Sequence, residues 1–460
     1  MQNSIGNILS RYKNEYLRLL KLGAPILVTQ LSVIVLAFTD TIMVGRYSVG
    51  SLAASAFVNS LFLVPNVMLM GLAAGVTPLV GALYSRGDRS RAGRATRAAM
   101  WVNTIVALVF TLIMAVIYFN LDSFGQEPRL LPQIRSYYLV LLLTPLPIAL
   151  YGVLMQTANG VEHPSLPMYI TLFAIGFNIL FNWLLIYGVG IFPELGLLGA
   201  GVATVMARYI CLVGMWIAFR TLRRFRDYHA GYCHTRRLGR MRWRVWATSW
   251  PVMLQNGCEC ALWSAGGVVV GWFGAIQLAA YQVVNTIGQL GFMIYTSFAA
   301  AVAIRVAFYA GQRDEKGAGI TTRAGLHINF VLATIASIVF IFAGEWLVHI
   351  FVHAEPGAAE GQAVVASALT LIMPLVFYQY FDASQLTLCN AIRGTGQVRP
   401  LFSISFVSYI LTGIPALLIM VKVLDGGNTG AYWSFNIALG VATLMAAFIF
   451  KKIRFNKPNL

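Results

Sequence analysis

The sequence predicts an all-α polytopic membrane protein: twelve transmembrane helices arranged as two pseudo-symmetric six-helix lobes. Three observations predict it. The chain of 460 residues is 58% hydrophobic and 11% charged. Soluble domains carry about 25% charged residues, so this chain lacks the polar surface to face water on all sides. It holds about a dozen apolar stretches of the roughly 20-residue length that crosses a bilayer as a helix. Finally, its second half repeats its first.

In chain order the spans fall at 22–45, 52–84, 98–120, 135–157, 167–189 and 197–219, then at 246–273, 278–309, 324–351, 364–391, 400–423 and 430–450. The first apolar run follows a more polar stretch of about twenty residues and has no small-residue cleavage site after it, unlike a signal peptide. In that stretch Ile5, Ile8, Leu9, Tyr12, Tyr16, Leu19 and Leu20 share one helical face, with Asn7, Arg11, Asn14 and Arg18 opposite. This reads either as a helix lying in the membrane interface or as an ordinary chain end. The longest polar interruption separates spans six and seven. Residues 1–219 therefore form an N-terminal lobe, 220–245 a basic cytoplasmic linker and 246–460 a C-terminal lobe.

The repeat is specific. A shift of 226 residues lays 25–98 on 251–324 without a gap and gives nineteen identities in 74 positions. Pro25 falls on Pro251, Gly45 on Gly271, Asn59 on Asn285 and Asp88 on Asp314, while Thr96 and Arg97 fall on Thr322 and Arg323. Further along, Pro145 pairs with Pro374, Gln156 with Gln385 and Pro167 with Pro400. Six spans per half is an even number, so the halves insert with the same orientation, the parallel-repeat arrangement of several secondary transporters.

A net charge of +17 would point to nucleic acid in a soluble protein. Here the basic residues mark topology instead. Of the 33 lysines and arginines, four lie in 11–21, five in 86–97, nine in 220–244, four in 305–323 and four in 451–457, with Arg393 and Arg399 in one further connection. Only Arg46, Arg129, Arg135 and Lys422 fall at the intervening connections, and Arg208 sits inside a span. This alternation follows the positive-inside rule and places both termini in the cytoplasm. The connection at Glu162 and His163 carries no Lys or Arg and is the exception.

Catalytic and metal motifs are weak. The five cysteines are odd in number, and Cys258 and Cys260 have no third ligand nearby, which favours packing over a soft-metal site. His349 and His353 are four apart, but the span end is external and lacks the Glu of a helical zinc motif. There is no phosphate-binding loop for ATP and no credible Ser/His/Asp arrangement, so no enzyme and no cofactor are expected.

The acids carry the signal. Thirteen of sixteen sit in connections or near helix ends, whereas Asp40, Glu259 and Asp382 lie well inside spans. A carboxylate at the bilayer centre costs about 2.5–3.5 kcal/mol on insertion scales, so each must be protonated, cation-bound or facing a wet cavity. None has a Lys or Arg within a helical turn in sequence. The repeat takes Asp40 to Gly266 and Glu259 to Val33, so one acid belongs to the first half and two to the second. A carboxyl pair on spans seven and ten can hold a hard cation or share a proton, and Tyr378, one turn before Asp382, can add an oxygen. Asn178 and Asn182 face one way, and Gln30, Gln282, Gln289 and Gln385 lie on other spans; interhelical hydrogen bonding accounts for these amides equally well.

At this point the chain resembles the multidrug and toxic compound extrusion (MATE) transporters, and among them the bacterial NorM-like group. The matching segments, in order, are 38–45 with Asp40 at their centre, 178–188, 199–204, 279–283, 304–311, 378–383 with Tyr378 and Asp382, and 390–394. The resemblance covers nearly the whole chain. It implies two six-helix lobes around a V-shaped cleft in a bacterial inner membrane. It also implies export of cationic, amphipathic drugs in exchange for Na+ or H+, by a monomer in membrane lipid with no nucleic-acid partner. It assigns cation coupling to Glu259, Asp382 and Tyr378, and proton or substrate handling to Asp40 with Asn178 and Asn182. Gln30, Gln282 and Gln289 are polar candidates for the cleft. Cys258 and Cys260 depart from the bulkier apolar residues expected beside Glu259. A flippase for lipid-linked substrates of the same broad superfamily is the alternative.

Overall fold

The computed structural model describes residues 2–234, 238–351 and 359–454, and among them no strand occurs. The helices are α1 (Gln2–Tyr47), α2 (Val49–Ala74), α3 (Val76–Ser85), α4 (Arg89–Phe119), α5 (Leu131–Leu141), α6 (Pro145–Gly160), α7 (Ser165–Tyr187), α8 (Leu197–Thr221) and α9 (Arg226–Cys233). Then follow α10 (Leu238–Gly271), α11 (Ala275–Gln312), α12 (Glu315–Phe351), α13 (Ala359–Thr370), α14 (Ile372–Gly394), α15 (Arg399–Ser405), α16 (Ile414–Leu418) and α17 (Gly427–Lys452). Phe406–Gly413 and Ile419–Val423 are π-helical and join α15 to α16 and α16 to the loop before α17. Proline splits two of the predicted spans. α5 ends at Leu141 and α13 at Thr370, each four residues before one of the repeat mates Pro145 and Pro374, so the two halves break at equivalent places.

Ten helices or helix runs among the described residues are long and apolar enough to cross a membrane, and Glu360–Thr370 with Ile372–Gly394, bent by 43°, make an eleventh. The predicted seventh span lies on α10, which at 34 residues is long enough but carries Gln255, Asn256 and Glu259 along its middle. The helix missed by hydropathy is thus one that holds a candidate site.

Two compact units emerge: Val28–Met253, and Met1–Leu27 together with Leu254–Leu460. The repeat is visible in how they are built. Asp88 caps α4 by accepting from the Arg91 amide at 3.0 Å, and its mate Asp314 accepts from the Gly317 amide at 2.9 Å as α12 begins. Both satisfy a backbone N–H that a helix start leaves without a partner. Asn59 and its mate Asn285 each accept a tyrosine hydroxyl, from Tyr137 at 3.4 Å and Tyr432 at 2.6 Å.

In the first unit, α9 packs on the start of α4. Gly93 and Gly231 permit this, since a Cβ on Gly93 would meet the Tyr228 carbonyl and one on Gly231 would meet Ser90 backbone. Arg89 bonds Asp227 at 2.7 Å, and Arg97 donates to the Tyr232 and Cys233 carbonyls at 3.2 Å. Much of the basic stretch 220–245 is therefore ordered helix, with a 3-10 turn at Arg223–Phe225 leading into α9.

The N-terminal stretch is part of a long helix. It continues without interruption into the first span as the 46-residue α1, and the side chains of Ile5, Asn7, Ile8 and Leu9 lie outside the described residues. Tyr12, Tyr16, Leu19 and Leu22 pack on Val302, Val306, Ala318 and Ala391 of the second unit, so protein covers part of the apolar face, while Leu20 stays exposed. Its polar face carries a larger surprise. Glu15 is buried and accepts from Arg305 Nη2 at 2.8 Å and Nε at 3.3 Å, from Tyr309 Oη at 2.8 Å and from Thr321 Oγ1 at 2.8 Å. This network explains why residues 1–27 group with the second unit.

Candidate functional site

Each unit contains its own carboxylate cluster. In the first, Asp40 is half-buried on α1, and Asn178 and Asn182 stand one turn apart on α7, each fully buried. Asn182 Nδ2 donates both to Asp40 Oδ1 and to Asn178 Oδ1, the latter at 3.0 Å. The i, i+4 spacing puts the two amides on one face, so one NH2 group bridges a carboxylate and an amide. Arg208 on α8 and the Tyr137 hydroxyl on α5 lie within electrostatic range of Asp40. The three residues predicted for this half are brought together. Gln30, half-buried on α1, lies ten residues from Asp40, about 15 Å along the helix, and is not part of the cluster.

In the second unit, Asp382 on α14 is 0% exposed, and neither of its carboxylate oxygens has a hydrogen-bond partner. Tyr378 lies one turn away, held edge-on to Trp263 of α10 with ring centroids 5.5 Å apart. Glu259, half-buried on α10, acts electrostatically on both Asp382 and Tyr378. The residues predicted on spans seven and ten thus share one neighbourhood. Gln282 and Gln289 do not join it: they share the exposed face of α11, turned away from buried Gly291 and Tyr295.

Other residues of this cluster had no place in the sequence reading. Gln379 is 0% exposed with both amide atoms unpartnered, and the hydroxyls of buried Tyr295 and Tyr409 are also unpartnered. Tyr295 and Tyr409 interact electrostatically with Asp382. A Cβ on Gly291 would meet Gln379 Oε1 and stand 3.2 Å from the Tyr295 hydroxyl, so glycine leaves room for both. Gln379 was recoverable from sequence, three residues before Asp382; the tyrosines come from other helices and carried no signal. Oxygen atoms of this kind, beside carboxylates in a low-dielectric interior, suit a proton or a hard cation.

Cys258 packs against the apolar core of the second unit, and no group of three or more His, Cys, Asp or Glu residues able to hold a metal occurs among the described residues. His353 lies outside them.

The profile of the MatE family matches residues 25–184 and 251–419, one copy in each half. The chain is 26% identical over 407 residues to the multidrug resistance protein NorM of Aliivibrio fischeri, covering 88% of this chain and 87% of that one. It is 27% identical over 440 residues to NorM of Vibrio cholerae, covering 95% of each. Among solved structures, the eukaryotic MATE transporter AtDTX14 superposes with a TM-score of 0.85 at 17% identity, covering 97% of this chain and 98% of that one. A MOP superfamily transporter from Pyrococcus furiosus superposes with a TM-score of 0.81 at 16% identity, covering 95% and 96%. With the profile matched in both halves and across most of the chain, this protein belongs to the MatE family and is a multi-pass membrane transporter rather than an enzyme.

Proposed function

We propose that the protein is a secondary active multidrug exporter of a bacterial inner membrane, moving cationic amphipathic compounds out in antiport with Na+ or H+. The observation that carries this reading is Asp382: a fully buried acid with two unpartnered oxygens, within electrostatic range of a second acid, Glu259. A group so placed needs a cation or a proton, and it must give that ion up again for transport to turn over. The relatives named as multidrug resistance proteins support the export of drugs.

In this reading the coupling ion binds at Glu259 and Asp382 with help from Tyr378. Asp40, Asn178 and Asn182 handle a proton or the substrate, with Gln30, Gln282 and Gln289 as polar contacts along its path. Ion and drug exclude each other because one set of carboxylates in a low-dielectric site cannot satisfy two cations, and that exclusion is the coupling. A monomer with both termini in the cytoplasm suffices.

The test is reconstitution into liposomes loaded with a fluorescent lipophilic cation, under an imposed Na+ gradient and, separately, an imposed proton gradient. Dye movement driven by one gradient, lost in Glu259→Gln and in Asp382→Asn while both variants still insert, is the expected result. Wild-type transport by both variants refutes the site. No response of the wild type to either gradient turns the assignment toward a flippase for lipid-linked substrates.

A further inference from the structure

Arg393 closes the last turn of α14, on a stretch whose basic residues the sequence assigns to a cytoplasmic connection. Its guanidinium instead reaches into the second unit. Nη1 donates to Asn390 Oδ1 at 3.2 Å, Nη2 donates to Gln255 Oε1 at 3.5 Å, and Nε is buried without an acceptor. Both acceptors are neutral, and both bonds are long beside the ~2.7–2.9 Å of a charge-assisted pair. Arg393 is half-buried and a guanidinium does not lose its proton, so one with a buried Nε held this loosely lacks a close anion.

The carboxylate within its electrostatic range is Glu259. Gln255 is buried on α10 and lies four residues before Glu259, so Glu259 sits one turn further along the same face, about 6 Å away along the axis. An arginine side chain spans that distance by rotating about its four side-chain bonds. Gln255 therefore serves as a parking position one turn from the acid.

We propose that Arg393 is the resident counter-charge of Glu259, parked on Gln255 and Asn390 while the coupling cation is bound and pairing with Glu259 when the cation leaves. The inference rests on the reading that Glu259 and Asp382 bind that cation. Arg393 is a positioning residue and touches no drug. It makes the cation compete with a tethered charge for one carboxylate, which weakens cation binding and lets the ion-free unit change state without a bare, partly desolvated anion.

The test uses the full-length protein in liposomes with ethidium as the transported dye, reading the Na+ concentration and, separately, the proton concentration that give half-maximal dye movement. Arg393→Gln lowers the half-saturating concentration of the coupling ion by about tenfold or more, since a competing unit charge one helical turn away is removed. Gln255→Leu removes the parking position and shifts it the opposite way, raising it by about threefold or more. Arg393→Lys keeps the charge and stays near the wild-type value. Shifts of the same sign in Arg393→Gln and Gln255→Leu, or no shift in either, overturn the proposal. If Arg393→Gln does not fold, Gln255→Leu and Arg393→Lys still decide it by the direction of the first and the near-neutrality of the second. A wild type whose dye movement ignores both ions refutes the antiport reading itself. A cation-dependent wild type with an unshifted Arg393→Gln refutes only the counter-charge.

Discussion

Replacing Glu15 tests whether the buried network at the start of α1 holds that helix to the second unit. The Arg305 side chain is 1% exposed and that of Glu15 is 5% exposed, with a 2.8 Å ion-pair distance between them. Glu15→Leu removes the acceptor for Arg305, Tyr309 and Thr321 and leaves a buried guanidinium without its anion. Breaking one partner of such a pair destabilises by about 3–5 kcal/mol. The same substitution at an exposed pair would cost about 0–1 kcal/mol, which sets the scale for Arg18, 56% exposed and 3.9 Å from Glu15. A double replacement, Glu15→Leu with Arg305→Met, restores most of the stability, because two apolar side chains of similar volume need no compensation. The assay is unfolding by SDS titration in mixed micelles, followed by tryptophan fluorescence, as a double-mutant cycle. Arg18→Ala should stay within about 0.5 kcal/mol of the wild type. A Glu15→Leu midpoint within about 1 kcal/mol of wild type, or a double variant as unstable as the sum of the singles, refutes the reasoning.

Asn182→Leu strips Asp40 Oδ1 and Asn178 Oδ1 of their shared donor; it should lower stability by about 1–3 kcal/mol in the same titration, and an unchanged midpoint would show the bridge is dispensable. Gly93→Ala pushes a Cβ into the Tyr228 carbonyl, so proteolysis within 222–237 should accelerate. Its repeat mate Gly319 has no neighbour within 4 Å, and Gly319→Ala should be neutral or stabilising by up to about 1 kcal/mol; equal effects at the two sites would be inconsistent with the packing. Burial, and after it the charge of Arg224, hold the His163 imidazole below its ordinary value of 6.5, against the opposing pull of Glu162. The unfolded chain then binds more protons than the native one below about pH 6.5, so stability is full above that value and falls as pH drops toward the folded pKa. His163→Gln should flatten that slope, and a slope that persists would assign it to other groups.

The sequence by itself determined the class, the spans and the repeat, because lipid demands long apolar helices and a duplicated chain keeps its prolines, caps and glycines in step. Spans carrying prolines at matching positions break at matching positions, and Asp88 and Asp314 cap corresponding helices. It also singled out Asp40, Glu259 and Asp382, since an acid inside an apolar run stands out in any window. Asn178 and Asn182 were legible as one face through their four-residue spacing. What a residue meets on another helix was not legible. Glu15 read as one charge in a polar stretch, yet it is buried by partners about 290–306 residues away. Arg208 and Arg393 read as a lone intramembrane base and a topology marker, yet each stands within electrostatic range of a carboxylate, Asp40 and Glu259. Tyr295, Gln379 and Tyr409 enter the Asp382 cluster from separate helices or a separate turn. Only the tertiary structure decided these pairings, because hydropathy and periodicity report which face of a helix is apolar, and say nothing about which helix that face, or the charge upon it, will meet.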